Sequence, residues 1–316
     1  MTQSASTVDN KLFLGRVEEQ KQYRAALHEL LDTAKADDIP YICLLYGDGG
    51  TGKTTLAKRF RDIATQEKPF AEAFQYLWVD WEDERKKLTG LQVGREHVHA
   101  EAVFKGIYTA VIRNKWGRQF PAYRKALKQG EEAEQKVAEI LTGDDGWDEL
   151  AMLRSVGVGA IAKIIRSRIP LIGDQGEQLM QTFLDAGVQV GAEQAARLRA
   201  ILETYLRARL KPDYFDHFLN PNEQLAYALA RGLEKVAEKK RLLVFLDSYE
   251  VVDRADIWVR AVIRAAGPRV SWILCDRNDL VHSRQFGAEY FKGYADDSPR
   301  RLLAYQMRPL AVDDIA

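Results

Sequence analysis

Apolar residues along the chain fall into two kinds of run. Short, nearly unbroken ones of strand length stand at residues 41–46, 74–80, 241–247, 270–274 and 302–307. Between them stand longer stretches with apolar positions at helical spacing: Tyr23, Leu27 and Leu30; Leu56, Phe60 and Ile63; Leu225, Leu229, Leu233 and Val236; Val259, Val262 and Ile263. A strand that is apolar at successive positions is buried on both faces, the mark of a parallel sheet covered by helices. The alternation predicts an α/β fold, a three-layer sandwich around a central, mostly parallel sheet.

Residues 84–220 break that alternation and read as helical throughout. Val103, Ile107 and Val111, with Phe104, Tyr108 and Ile112 beside them, line one helix over 102–116, and Ala195, Leu198, Leu202 and Tyr205 line another over 192–210. Residues 130–134 and 142–146 read as polar connectors. The small apolar stretch 155–162, followed by Lys163, Arg166 and Arg168, reads either as a packed helical hairpin or as an amphipathic surface segment. The core resumes at Asn220-Pro221-Asn222-Glu223, with Asn at the cap, Pro in the first helical position and Glu where a capping box places it. The expected organisation is a discontinuous core, 12–83 and 221–310, a helical insertion, 84–220, and a disordered tail, 1–11.

Charge and cysteine usage narrow the classes. Lys plus Arg and Asp plus Glu each number 46 in 316 residues, giving a formal net charge of zero without long blocks of one sign. No nucleic-acid partner is expected, since the electrostatic footprint is missing. Cys43 and Cys275, the two cysteines, sit inside apolar runs without metal or redox spacing, so reduced core thiols and a cytoplasmic location are expected. His97 and His99 point apart on a helix and suggest no metal. The polar first ten residues lack a signal layout, and no apolar run reaches the roughly 20 residues of a transmembrane helix.

The chemistry concentrates at Gly47-Asp48-Gly49-Gly50-Thr51-Gly52-Lys53-Thr54, which completes the pattern Gly-x4-Gly-Lys-Ser/Thr. A strand-length run precedes it and a helical run beginning Thr54-Thr55 follows, the context a phosphate-binding loop requires. Glycines let successive backbone amides turn inward around a β-phosphate, and the helix start adds its positive dipole end. Lys53 would reach the β and γ oxygens, and Thr54 would place its hydroxyl on Mg²⁺. The expected ligands are ATP or ADP with Mg²⁺.

A carboxylate is expected at the end of another central strand, and Asp247 closes the run Arg241-Leu242-Leu243-Val244-Phe245-Leu246. At the carboxyl edge of a parallel sheet it would face the loop and serve as the second Mg²⁺ residue. Glu250, three residues on, is the candidate base that polarises the attacking water. Arg277, after the run 270–274, is the candidate γ-phosphate sensor. Arg254, Arg260 and Arg264 are exposed candidates for an arginine that reaches a neighbouring subunit's site.

Taken together these residues resemble the STAND class of signal-transduction ATPases, AAA+ relatives that include NB-ARC and NACHT modules. Leu14-Gly15-Arg16-Val17-Glu18-Glu19 looks like their Gly-Arg-x-x-Glu opening motif; the resemblance implies that Gly15 and Arg16 lie over the adenine and ribose. Leu246-Asp247-Ser248-Tyr249-Glu250 resembles their second nucleotide motif, and Tyr305-Gln306-Met307-Arg308-Pro309-Leu310 their closing turn. It covers roughly 12–83 and 221–310. The implied function is a slow, switch-type ATPase module of a longer signalling protein, with protein partners or self-association through domains this chain lacks. Two alternatives share the loop: a small-molecule phosphotransferase with its acceptor site in the helical insertion, and a DNA-handling AAA+ ATPase, which the neutral charge disfavours. Asp276-Arg277-Asn278-Asp279 is not the Asn-Lys-x-Asp element of guanine specificity.

Overall fold

The computed structural model describes residues 15–32, 40–88, 100–143, 158–166, 183–185, 187, 189, 191–252, 255–281 and 302–309. The N-terminal tail, His97, His99, Arg254 and the end of the chain from 310 lie outside them. The chain divides into two compact units, one of residues 1–119 with 230–316, the other of residues 120–229.

The first unit holds a five-stranded, all-parallel sheet: β1 (Ile42–Tyr46), β2 (Phe74–Asp80), β3 (Arg241–Asp247), β4 (Val270–Asp276) and β5 (Leu302–Gln306), in the order β2-β3-β4-β1-β5. β3 and β4 are buried at every position, as strands with neighbours on both edges and cover on both faces must be. Helices α1 (Val17–Leu31), α2 (Lys53–Gln66) and the single turn α3 (Phe70–Ala73) cover one face. Tyr23, Leu27 and Leu30 of α1 and Leu56, Phe60 and Ile63 of α2 join Cys43, Leu45, Leu243, Phe245, Ile273 and Cys275 of the strands in one core. Tyr23 stacks on Phe60 with ring centroids 4.0 Å apart. Arg24 of α1 and Arg59 of α2 both bind the carboxylate of Glu67, which fastens the two helices together.

The alternate strand positions, Ile42, Leu44, Val244, Leu246, Trp272 and Leu274, are buried on the opposite face. Two short helices, α4 (Trp81–Leu88) and α5 (Ala100–Arg113), both pack on β2. A Cβ at Gly106 would lie 2.8 Å from the Trp81 ring, so the glycine sets how closely α5 approaches α4.

The second unit is helical, built from α6 (Pro121–Gly143), α7 (Val158–Arg166), α8 (Ala192–Arg209), α9 (Pro212–Leu219) and the start of α10 (Pro221–Ala237). Its core joins Val137 of α6, Ile161 and Ile165 of α7, Leu202 and Leu206 of α8, and Phe215 and Phe218 of α9. After α10, helix α11 (Asp256–Ala265) returns the chain from β3 to β4 in the first unit.

One expectation about the insertion changes. The connector expected at 130–134 is helix: α6 runs unbroken through Gly130, because Ala126, Ala133, Val137 and Leu141 keep one face buried and a helical glycine costs only about 1 kcal/mol. By compactness residues 120–229 form the helical unit, and α5, expected within the insertion 84–220, packs against β2 of the first unit. A pattern of helical spacing says that a helix has a buried face but not which core that face joins.

Candidate functional site

The carboxyl ends of the strands share one edge of the sheet. Register places Asp80 of β2 beside Asp247 of β3, and Asp276 of β4 beside Tyr46 of β1, so three carboxylates line the edge from which the glycine loop emerges. In a doubly wound parallel sheet this edge is where ligands bind.

The loop is held by backbone constraints that only glycine meets. Gly47 has φ +136°, and a Cβ there would lie 2.4 Å from the carbonyl oxygen of Met307, the residue after β5. The Met307 amide donates to the Tyr46 carbonyl at 2.6 Å, so β1 and the end of β5 enter the site together. Gly50 and Gly52 have φ +80° and +90°, and Gly52 caps α2. The buried Thr51 donates its hydroxyl to the Asp48 carbonyl at 2.8 Å. The Lys53 ammonium donates to the carbonyls of Gly47 and Asp48 at 2.6 and 2.7 Å, which puts its charge within the curve of the loop. Gly49 has open space where a Cβ would lie, and Thr55 is exposed in the first turn of α2.

Thr54 donates its hydroxyl to Asp247 Oδ1 at 3.0 Å, and the Ser248 amide donates to the same oxygen at 3.1 Å. Burial pushes the Asp247 carboxyl above its ordinary range; the Thr54 bond opposes that and the charge of Asp80 adds to it. A cation beside it would reverse the penalty. Thr54 and Asp247 offer adjacent oxygens, the donor chemistry Mg²⁺ takes. Among the described residues no group of three or more His, Cys, Asp or Glu gathers into a metal cage, so phosphate oxygens and water would complete the shell.

Ser248 turns the chain with φ +56° into a 3-10 turn, Tyr249–Val251. The two residues expected to act separately meet here: Arg277 Nε donates to Glu250 Oε1 at 2.9 Å. Glu250 Oε2 is buried without a hydrogen-bond partner, while Arg277 is 66% exposed. Asp276 is 3% exposed, and burial pushes its carboxyl up to about 6. Arg260 does not meet the expectation of an exposed arginine: it is buried, with its Nε 2.8 Å from Asp256 Oδ2, and Asp256 also accepts the Tyr249 hydroxyl at 2.6 Å. Arg264 is exposed.

Gly15 and Arg16 both take left-handed backbone, φ +87° and +55°. The Arg16 guanidinium donates to Glu19 at 3.3 Å and to the carbonyl of Arg308, which ties the opening motif to the closing turn 292 residues away. Gln20 adds a bond to the Gly15 carbonyl and receives one from Arg59 of α2.

Beyond Asp247, toward β2, lies an open cavity of about 340 Å³ lined by Lys58, Arg61, Trp78, Asp80, Asp83, Glu84, Arg113 and Asp247. Within its lining Arg113 pairs with the buried Glu84 at 2.5 Å, and Arg61 lies over the Trp78 ring. Apart from Asp247, sequence reasoning gave the lining residues no functional role. Asp80 carried the one available signal, since it closes an apolar run as Asp247 does.

Compared with models of known protein families and with curated proteins, the chain matches none. No helix among the described residues is long and apolar enough to cross a membrane.

Proposed function

We propose that this chain is a P-loop nucleoside triphosphatase module that binds ATP with Mg²⁺ and hydrolyses it slowly, as a switch of the STAND type. The observation that carries the reading is the meeting of Thr54, at the start of α2, with Asp247, at the end of β3, beneath a glycine loop that holds the Lys53 charge. Amides of the loop and the N-terminus of α2 would take the β-phosphate, Lys53 the β and γ oxygens, and Thr54 and Asp247 the cation. Mg²⁺ would neutralise charge on the phosphates when bound. Arg277, held by Glu250, is the proposed γ-phosphate sensor; Glu250, expected from its spacing to polarise water, thereby has the prior role of fixing that arginine.

The switch reading draws support from the bond of Arg16 to the Arg308 carbonyl. An opening motif and a closing turn joined beside one nucleotide would let its γ-phosphate alter how the chain enters and leaves the module.

Calorimetric titration with ATP, ADP and GTP, each with and without Mg²⁺, tests the reading. Saturable binding of adenine nucleotides, strengthened by Mg²⁺, supports it, and absence of triphosphate binding removes it.

A further inference from the structure

The cavity beside Asp247 bears on which group takes the proton of the attacking water. Thr54, Lys58 and Arg61 lie four and three residues apart, hence on one face of α2. Thr54 touches Asp247, while Lys58 and Arg61 line the cavity with Asp80. The cavity therefore begins where the Thr54–Asp247 pair ends, and it has room for several waters.

Asp80 is placed for work there. It is the register partner of Asp247 on the adjacent parallel strand, roughly 4.8 Å away by ordinary strand spacing. Its Oδ1 accepts the backbone amides of Glu82 and Asp83 at 3.0 and 3.3 Å, which caps α4 and fixes the plane of the carboxylate. Glu250 likewise has one oxygen engaged, Oε1 on Arg277, but its Oε2 is buried, whereas Asp80 lines the cavity.

We propose that Asp80 is a catalytic residue of this site, accepting the proton of water that enters through the cavity. The inference rests on the nucleotide reading above. The water oxygen bonds to the γ-phosphorus of ATP, and the bond from that phosphorus to the β–γ bridging oxygen breaks with its electron pair leaving on ADP. The water's proton passes to the Asp80 carboxylate and then to solvent.

Asp80→Asn tests this, because the amide oxygen still caps α4 while the proton acceptor is gone. The expected result is a loss of turnover of about 10²-fold, the usual size for a general base. Affinity for Mg²⁺ with a non-hydrolysable ATP analogue should match the parent, while affinity for ADP with aluminium fluoride, which mimics the transition state, falls at least tenfold. Asp80→Glu should recover part of the turnover. Parental turnover in Asp80→Asn overturns the proposal and leaves the nucleotide reading standing. A parent chain that binds no ATP, or binds it without releasing phosphate, overturns the proposal together with that part of the reading.

Discussion

Thr54 donates its hydroxyl to Asp247 Oδ1 across 193 residues of sequence, joining the first turn of α2 to the end of a strand two places away in the sheet. The carboxylate is buried and its charge disfavoured, a cost that a divalent cation beside it would relieve. Asp247→Asn keeps the acceptor for Thr54 but removes the charge. The enhancement of ATP affinity by Mg²⁺ should shrink by about 10–100-fold, the usual cost of disturbing a metal site. Titrating ATP at varied Mg²⁺ checks it, and an unchanged Mg²⁺ dependence removes Asp247 from the site.

Lys53 sits within the loop, its ammonium on the carbonyls of Gly47 and Asp48. A phosphate would exchange those neutral acceptors for anionic ones. Hydrogen bonds to charged groups contribute about 1.5–3 kcal/mol, so Lys53→Ala should weaken ATP roughly ten- to a hundredfold. Adenosine, which carries no phosphate, should bind the two proteins alike. Calorimetry with both ligands separates a lost phosphate contact from a damaged fold.

Gly47 is the loop position least able to change. Alanine there would have a Cβ 2.4 Å from the Met307 carbonyl oxygen and a backbone φ of +136°. Strain of this kind costs about 1–3 kcal/mol, and the clash adds to it. Gly47→Ala should lower the urea midpoint clearly, whereas Gly49→Ala, with nothing within 4 Å of its Cβ, should not. Equal midpoints for the two variants would show that β5 does not hold the loop.

Asp276 gives the site a pH dependence. Its carboxyl ionises near 6 in the folded chain against an ordinary 3.8, because burial penalises the charge. The folded value is raised, so its contribution to stability is complete below 3.8 and is lost as pH rises through about 6. At neutral pH the loss is about 3 kcal/mol at most. Asp276→Asn can still accept the Asn278 amide that Asp276 accepts at 2.7 Å, and it avoids the ionisation. The variant should gain roughly 1–3 kcal/mol over the parent at about pH 8 and about half as much at about pH 5. Urea unfolding at both values measures the gap, and a gap that does not widen with pH contradicts the assignment.

Part of this architecture is legible along the chain because it is local chemistry. The loop needs glycines beside Lys53 and Thr54 in one contiguous stretch, and each central strand announces itself by successive apolar positions, as Leu242 to Leu246 do. The helix after the loop, the acid that ends β3 and the parallel character of the sheet follow from such patterns. Strand order does not, because a crossover helix spans one strand or two with the same spacing of apolar residues. Only the fold shows β4 lying between β1 and β3, and Asp80 beside Asp247. Pairing between distant side chains was likewise out of reach: Glu250 and Arg277 invite separate roles until the turn after β3 and the end of β4 bring them to 2.9 Å. Arg260 looked exposed by its charge and is buried because Asp256, one helical turn earlier, compensates it. Residue type and periodicity determine which elements form and which faces are apolar, whereas which carboxylates meet at the sheet edge is decided by long-range register, which no local pattern encodes.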